Sequence, residues 1–320
     1  MALVGARAVM AATECGVFPA LAEGPLMAAE IAQACGLEPR AAEALFGALV
    51  SIGYLRYAGA RFALTPKSRK WLAQPEAWSL RDYLPHVRDV WEIMGCLEGF
   101  LRTGTALDIH SGQSVGAWER YQKAMRSLAA LSASEVARRL RLPRGPRRIL
   151  DIGGAHGYYA VALCRTHPDA IATILDLPQA VAHAAPILAT EGMGKRVRHQ
   201  EGDALTEDLG EGRYDLVLIS NLVHHFTAGQ NRDLVARAAR ALRPGGRLAI
   251  QELIRPQTPN SGQATGQLLN LFFALTSTAG TWTVAEIQSW LRSAGLSIKR
   301  PVLLRSIPGA AQVIGIHQTP

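Results

Sequence analysis

The sequence predicts an α/β protein: a doubly wound, mostly parallel sheet with a terminal antiparallel hairpin, preceded by a helical, winged-helix-like domain. Three observations carry that expectation. From Arg147 onward, short apolar runs alternate with helical segments, which is the pattern of βαβ units in a parallel sheet. The first of these runs ends in Asp151 and opens into a glycine-rich turn. Ahead of Arg147 the chain reads as helices with one short β-ribbon. A chain of 320 residues has room for two domains. The expected division is 1–100 for the N-terminal domain, 101–146 for a helical linker that contributes to a substrate pocket, and 147–320 for the α/β domain.

The first 75 or so residues read as short helices broken around Gly36 and Pro39, where apolar positions at helical spacing stop and restart. YLRYAG and RFALTP then alternate like two strands joined at Gly59. Helix, helix and ribbon make a winged helix, so a DNA-binding regulator enters the reckoning. The second helix carries Arg40, Glu43 and apolar residues, with few of the basic or amide side chains that read base edges. Residues 76 to 140 look helical, with breaks at Pro85 and Thr103–Gly104. They hold Trp78, Tyr83, Trp91, Phe100, Trp118 and Tyr121, which are either core or the wall of an apolar ligand pocket.

The net charge of +8 raises nucleic acid and acidic membranes as partners. Its densest patch is Arg138, Arg139, Arg141, Arg144, Arg147 and Arg148, interrupted by Pro143 and Pro146, which reads as a solvated linker. No apolar run approaches the roughly 20 residues of a membrane span. The four cysteines form no CxxC pair, as suits a reducing cytoplasm, and the N-terminus lacks a signal peptide's basic start. A cytoplasmic protein with no nucleic-acid or membrane partner is expected.

In the α/β region the strands are RRILDIGG, IATILDLP, RVRHQEGDA, YDLVLIS and GGRLAIQELI. GLSIKRPVLLRS and AAQVIGIHQ then face each other across Pro308-Gly309 without an intervening helix. The turn after the first strand is Asp151-Ile152-Gly153-Gly154-Ala155-His156-Gly157. A nicotinamide fingerprint would be GxGxxG, but here Ala155 interrupts it and Gly157 comes one position early. The spacing is the D-x-G-x-x-x-G form that receives the methionine end of S-adenosylmethionine. Asp176 closes the second strand, where a carboxylate can accept ribose hydroxyls, and Asp203 follows the third, near an adenine amino group. Each could instead cap a helix or turn. Three acids at successive strand ends, where α/β sheets bind ligands, favour the cofactor. The candidate cofactor set is Asp151, Gly153, Gly154, Gly157, Asp176, Leu177, Asp203, Ala204 and Ser220.

The fourth strand runs into Ser220-Asn221-Leu222-Val223-His224-His225-Phe226, and ALRPGGRLAIQE follows. With these residues the chain resembles the O-methyltransferase family that includes plant caffeic acid, animal acetylserotonin and many bacterial natural-product tailoring enzymes. The resemblance covers nearly the whole chain. It implies a class I methyltransferase sheet, a winged-helix domain that builds a homodimer, and methyl transfer to a hydroxyl of a small aromatic or polyketide-like acceptor. It also implies His224 as general base, at the family's Leu-His-Asp-Trp position, and Glu252 as the carboxylate that orients it. Adjacent histidines diverge and have no acid at metal spacing beside them, so no metal is expected. Expected acceptor-lining residues are Trp118, Tyr121, Met125, Asn270 and Phe273.

The chain departs from the family at two places. His225-Phe226 replaces Asp-Trp, and Ala279-Gly280-Thr281-Trp282-Thr283 stands where family members often have GGxERT with a second acid beside the histidine. These departures keep a C-methyltransferase, or a repurposed cofactor-binding enzyme of this fold, as the alternative.

Overall fold

The computed structural model describes residues 1–73, 79–109, 115–140, 142, 147–259 and 264–318. Trp78, Arg141, Pro143, Arg144 and Pro146 lie outside the described residues. The chain divides into two compact units, Met1–Gly95 with Lys123–Leu128, and Cys96–Gln122 with Ala129–Pro320.

The first unit opens with α1 (Ala2–Glu14), α2 (Val17–Ala20), α3 (Ala28–Cys35) and α4 (Pro39–Ser51). Gly36 ends α3 in the left-handed conformation, and Pro39 starts α4 with Glu38 accepting a hydrogen bond from the Ala41 amide. The ribbon expected around Gly59 is β1 (Leu55–Ala58) paired antiparallel with β2 (Arg61–Leu64). After α5 (Pro66–Ser68) comes α6 (Leu84–Met94). Phe18, Leu21, Ile31, Phe46, Leu49, Leu55 and Leu64 form the unit's closed core.

The second unit contains α7 (Leu97–Thr103) and parts of the long α8 (Val115–Arg139), and then the α/β sheet. Its strands are β3 (Arg147–Ile152), β4 (Ala170–Asp176), β5 (Val197–Glu201), β6 (Tyr214–Ser220), β7 (Leu242–Leu253), β8 (Ser297–Ile298), β9 (Val302–Leu303) and β10 (Ala310–Ile316). They are ordered β5-β4-β3-β6-β7-β10-β8, with β9 also on β10. β3 to β7 run parallel and β10 antiparallel to β7. The connections are α9 (Tyr158–Thr166), α10 (Pro178–Thr190), α11 (Ala228–Arg240), α12 (Ala264–Thr276) and α13 (Val284–Ser293). Alternate residues of the strands enter two cores. Ile152, Val217, Ile219 and Ile250 pack with α11 and α13 on one face. Ile149, Ile174, Leu216 and Leu218 pack with α9 and the end of α8 on the other.

The terminal hairpin differs from its expected form. Its first arm is broken into two strands of two residues, because Pro301 lacks the N–H a ladder needs. β10 is a full strand of seven residues and lies between β7 and β8.

One side chain ties α8 to this hairpin. Glu135 accepts hydrogen bonds from the Arg305 and Ser306 amides, the Ser306 hydroxyl and the Arg139 guanidinium. Burial opposes ionisation of this carboxyl, but Ser306, Arg139 and Arg305 outweigh it and hold its pKa down at about 2. A depressed carboxylate contributes stability above its unfolded pKa that is lost as pH falls toward the folded value. Glu135→Gln is therefore expected to lower unfolding free energy by roughly 2 kcal/mol at pH 7. In denaturant titrations the difference from wild type should shrink below pH 4 and vanish near pH 2.

Candidate active site

The carboxyl ends of β3, β4, β6 and β7 form one rim, and β3 is the strand at which the chain's order of addition reverses. Such a switch point leaves a crevice where ligands bind. The turn leaving β3 fills that place. A Cβ at Gly153 would lie 2.8 Å from Leu222, at Gly154 2.6 Å from the Asp151 carboxylate, and at Gly157 2.4 Å from Ile174. Gly157, at φ 72°, is thus required by helix-on-strand packing as much as by any ligand. Ala155 also has a positive φ, 42°, which is unfavourable for a residue with a Cβ. Both its peptide groups are held: its amide donates to Asp176 Oδ2 at 2.8 Å, and its carbonyl accepts from His199 Nε2 at 2.8 Å.

Asp176 accepts through its other oxygen from the Leu177 amide at 2.8 Å. It is a clamp between the β3 turn and the start of α10, a role for which the sequence had offered only ligand binding or capping. Burial raises its pKa, against the pull of those two amides and His199. Asp151 is fully buried and neither oxygen has a well-formed hydrogen bond. Burial first, then the charge of Asp176, pushes its pKa up to about 7, against a weaker pull from the Ala160 amide. Two carboxylates short of cationic partners beneath a glycine turn fit a ligand carrying positive charge, which a sulfonium and an ammonium both supply. Leu177, 45% exposed, offers an apolar surface beside them. Asp203 is exposed and caps its own turn through the Leu205 amide at 2.9 Å, while Ala204 packs against the sheet core. Ser220 is buried at the end of β6.

After β6 the chain turns through Asn221, at φ 51°, into a short 3₁₀ turn, Val223–His225. His224 Nδ1 lies 3.0 Å from Glu252 Oε2, with both side chains buried. The second Glu252 oxygen accepts from the Leu253 amide at 2.9 Å. The turn's carbonyls are bound one after another. Val223 accepts from Asn231 Nδ2 and Trp282 Nε1, both at 2.9 Å. His224 accepts from Ser277 Oγ at 2.8 Å, His225 from Thr278 Oγ1 at 3.0 Å and Phe226 from Asn231 Nδ2 at 3.0 Å. Asn231, Ser277, Thr278 and Trp282 were missed by sequence reasoning, because a side chain that bonds backbone leaves no motif.

The five expected acceptor-lining residues fall into separate groups. Phe273 stacks on the His224 ring at 3.8 Å between centroids. Asn270, one turn earlier on α12, accepts from the Thr281 amide and hydroxyl at 3.1 and 2.7 Å. Trp118 stacks on His183 of α10, with ring centroids 6.0 Å apart. Burial and the charge of Asp176 push the Tyr121 phenol up to about 12. Trp118 and Tyr121 therefore lie on the β4–α10 side of the rim, while Phe273 and Asn270 lie by the histidine turn. Met125 belongs to the first unit. Among the described residues no group of three or more His, Cys, Asp or Glu could hold a metal, and no helix is long and apolar enough to cross a membrane.

Comparison with known proteins shows the family. Residues 104–297 match the O-methyltransferase domain family, and residues 3–74 match the O-methyltransferase dimerisation domain. The chain belongs to the S-adenosylmethionine-dependent O-methyltransferases, with the class I methyltransferase fold. It is 31% identical to a 3-hydroxy-5-methyl-1-naphthoate 3-O-methyltransferase of Streptomyces sahachiroi, over 96% of this chain and 90% of that one. It is 29% identical to the tetracenomycin polyketide synthesis 8-O-methyl transferase of Streptomyces glaucescens, over 93% and 89%. The crystal structure of human N-acetylserotonin methyltransferase in complex with S-adenosylmethionine shares the fold, with a TM-score of 0.86 at 21% identity, covering 98% of this chain and 94% of that one.

The raised pKa of Asp151 sets a pH dependence. Its folded value lies above the unfolded one, so the ionised carboxylate costs stability that is absent below about pH 4 and grows up to pH 7. Asp151→Asn is expected to raise the melting temperature at pH 8 and to leave it nearly unchanged at pH 4. Calorimetric affinity for S-adenosylmethionine should rise between pH 6 and 8 in wild type and be weak and flat in the variant.

Proposed function

We propose that the protein transfers a methyl group from S-adenosylmethionine to a hydroxyl of a small aromatic or polyketide-like molecule, with His224 as general base and Glu252 as its orienting carboxylate. The observation that carries this reading is the 3.0 Å contact between His224 Nδ1 and Glu252 Oε2 at the rim beside the glycine turn. The cofactor, when bound, supplies a methyl group already activated by the positive charge on sulfur. Asp151, beside the glycine turn, would face the cofactor's cationic methionine end, Asp176 would accept its ribose hydroxyls, and Leu177, Asp203 and Ala204 would form its adenine side. Ser220 closes the β6 end of the same rim.

Glu252 accepts from Nδ1–H and so leaves the Nε2 lone pair free for an acceptor. An imidazole of pKa about 6.5 takes the proton of a phenol of pKa about 10 efficiently only as the oxygen gains its new bond. Nε2 would take the hydroxyl proton as the acceptor oxygen gains the methyl and the methyl–sulfur bond breaks to leave a neutral thioether, and the imidazolium would then return the proton to water. Glu252 stabilises that imidazolium much as the acid does in a serine-protease triad. Fixed turn carbonyls keep the ring in register, so positioning supplies much of the remaining acceleration. The dimerisation domain at residues 3–74 supports a homodimer as the working form.

One observation favours a second reading, methylation at carbon. Thr281, in the segment where family members often have a second acid, has its hydroxyl committed to Asn270. An ortho carbon of a phenol would need the same base. Incubation with the cofactor and a panel of phenols, with products assigned by mass and NMR, separates the two.

His224→Ala is expected to lower kcat about 10²- to 10⁴-fold with cofactor binding kept, and Glu252→Gln about 10²-fold or more. Turnover that survives His224→Ala would remove the base from the mechanism.

A further inference from the structure

The His224 imidazole has more neighbours than its carboxylate. Its ring faces Phe273 at 3.8 Å between centroids and 30° between planes, and His225 at 4.2 Å and 46°. Beyond Glu252, the described contacts of the turn come from uncharged groups. α11 sends Asn231, α12 sends Phe273, and the segment after α12 sends Ser277, Thr278 and Trp282. His225 is the other titratable group on the ring, and a charge on it would oppose a charge on His224. Among the described residues the imidazolium formed during methyl transfer has one carboxylate on its ring, where relatives with the second acid have two.

Phe273 is placed to make up part of that difference. An aromatic face carries negative quadrupole density, which attracts a cation and does little for a neutral ring. An interaction that strengthens as the histidine becomes charged acts on the transition state more than on the ground state. The approach of the two rings is also fixed. The Ser277 hydroxyl lies 2.8 Å from the His224 carbonyl and 2.6 Å from the Phe273 carbonyl, so one side chain ties together the backbones of both ring-bearing residues.

We propose that Phe273 is a positioning residue whose ring face stabilises the His224 imidazolium, in the role a second carboxylate plays in relatives. The inference rests on His224 being the base, and its test reads the histidine directly as well as the activity. Phe273→Leu keeps an apolar side chain and removes the π face. It is expected to lower the His224 titration midpoint, followed by NMR of the labelled imidazole, by about half a pH unit. The acidic limb of the kcat/KM profile should move the same way, and kcat on the plateau should fall about 3- to 10-fold. Phe273→Tyr, which retains the face, should restore both.

To separate electrostatics from shape, fluorinated phenylalanines placed at position 273 alone weaken the face at nearly constant volume, and kcat and the midpoint should then fall stepwise with fluorine number. An unchanged midpoint in Phe273→Leu, or equal activity across the fluorinated series, would overturn the proposal. Should His224→Ala retain full turnover, the base reading fails on its own, while the NMR midpoint still decides whether Phe273 stabilises the imidazolium.

Discussion

A carboxylate cut off from water has to be matched by donors, and Glu252 is matched by two: the His224 ring and the Leu253 amide. Much of the rim can be understood from that requirement. For the ring to reach a strand residue 28 positions away, the chain after β6 must turn sharply, and Asn221 takes a left-handed conformation to do so. The turn exposes carbonyls that a regular helix would have satisfied, and buried carbonyls without partners are expensive. Asn231, Ser277, Thr278 and Trp282 satisfy them. Removing any of these would loosen the His224 turn without touching the ring.

The other half of the rim is organised by Asp176. Its two oxygens hold the amides of Ala155 and Leu177, and so fix the β3 turn against the start of α10. Asp176 also opposes ionisation of Asp151. A cation arriving at the turn would relieve both acids. The rim carries the hydrogen-bonded His224–Glu252 pair on its β7 side and two crowded carboxyls, Asp151 and Asp176, on its β3–β4 side.

Much of this could be read from the residues. The change at Arg147 from helices to alternating runs, the glycines after Asp151 and the acids at successive strand ends depend on local chemistry, and each appears in the structure at a strand terminus. Features that depend on tertiary partners could not be read. Asp203 makes a turn hydrogen bond and Asp176 a clamp, yet as isolated residues the two look alike. The broken first arm of the hairpin followed from Pro301 and could have been anticipated. The division of the aromatic residues between two parts of the rim could not, because helical spacing says which residues share a face and nothing of what that face meets.

The position of β10 has a consequence for synthesis. Glu252 sits on β7, whose outer neighbour is β10, with Ala311 opposite Glu252. A ribosome delivers Ala311 nearly 60 residues after Glu252, and long-range pairing of this kind closes slowly. Until it closes, β7 is an edge strand and the Glu252 carboxylate lacks its cover from β10. The glycine turn, built from neighbouring β3 and β4, has no such wait. During biosynthesis the glycine turn should therefore be able to form before Glu252 is covered.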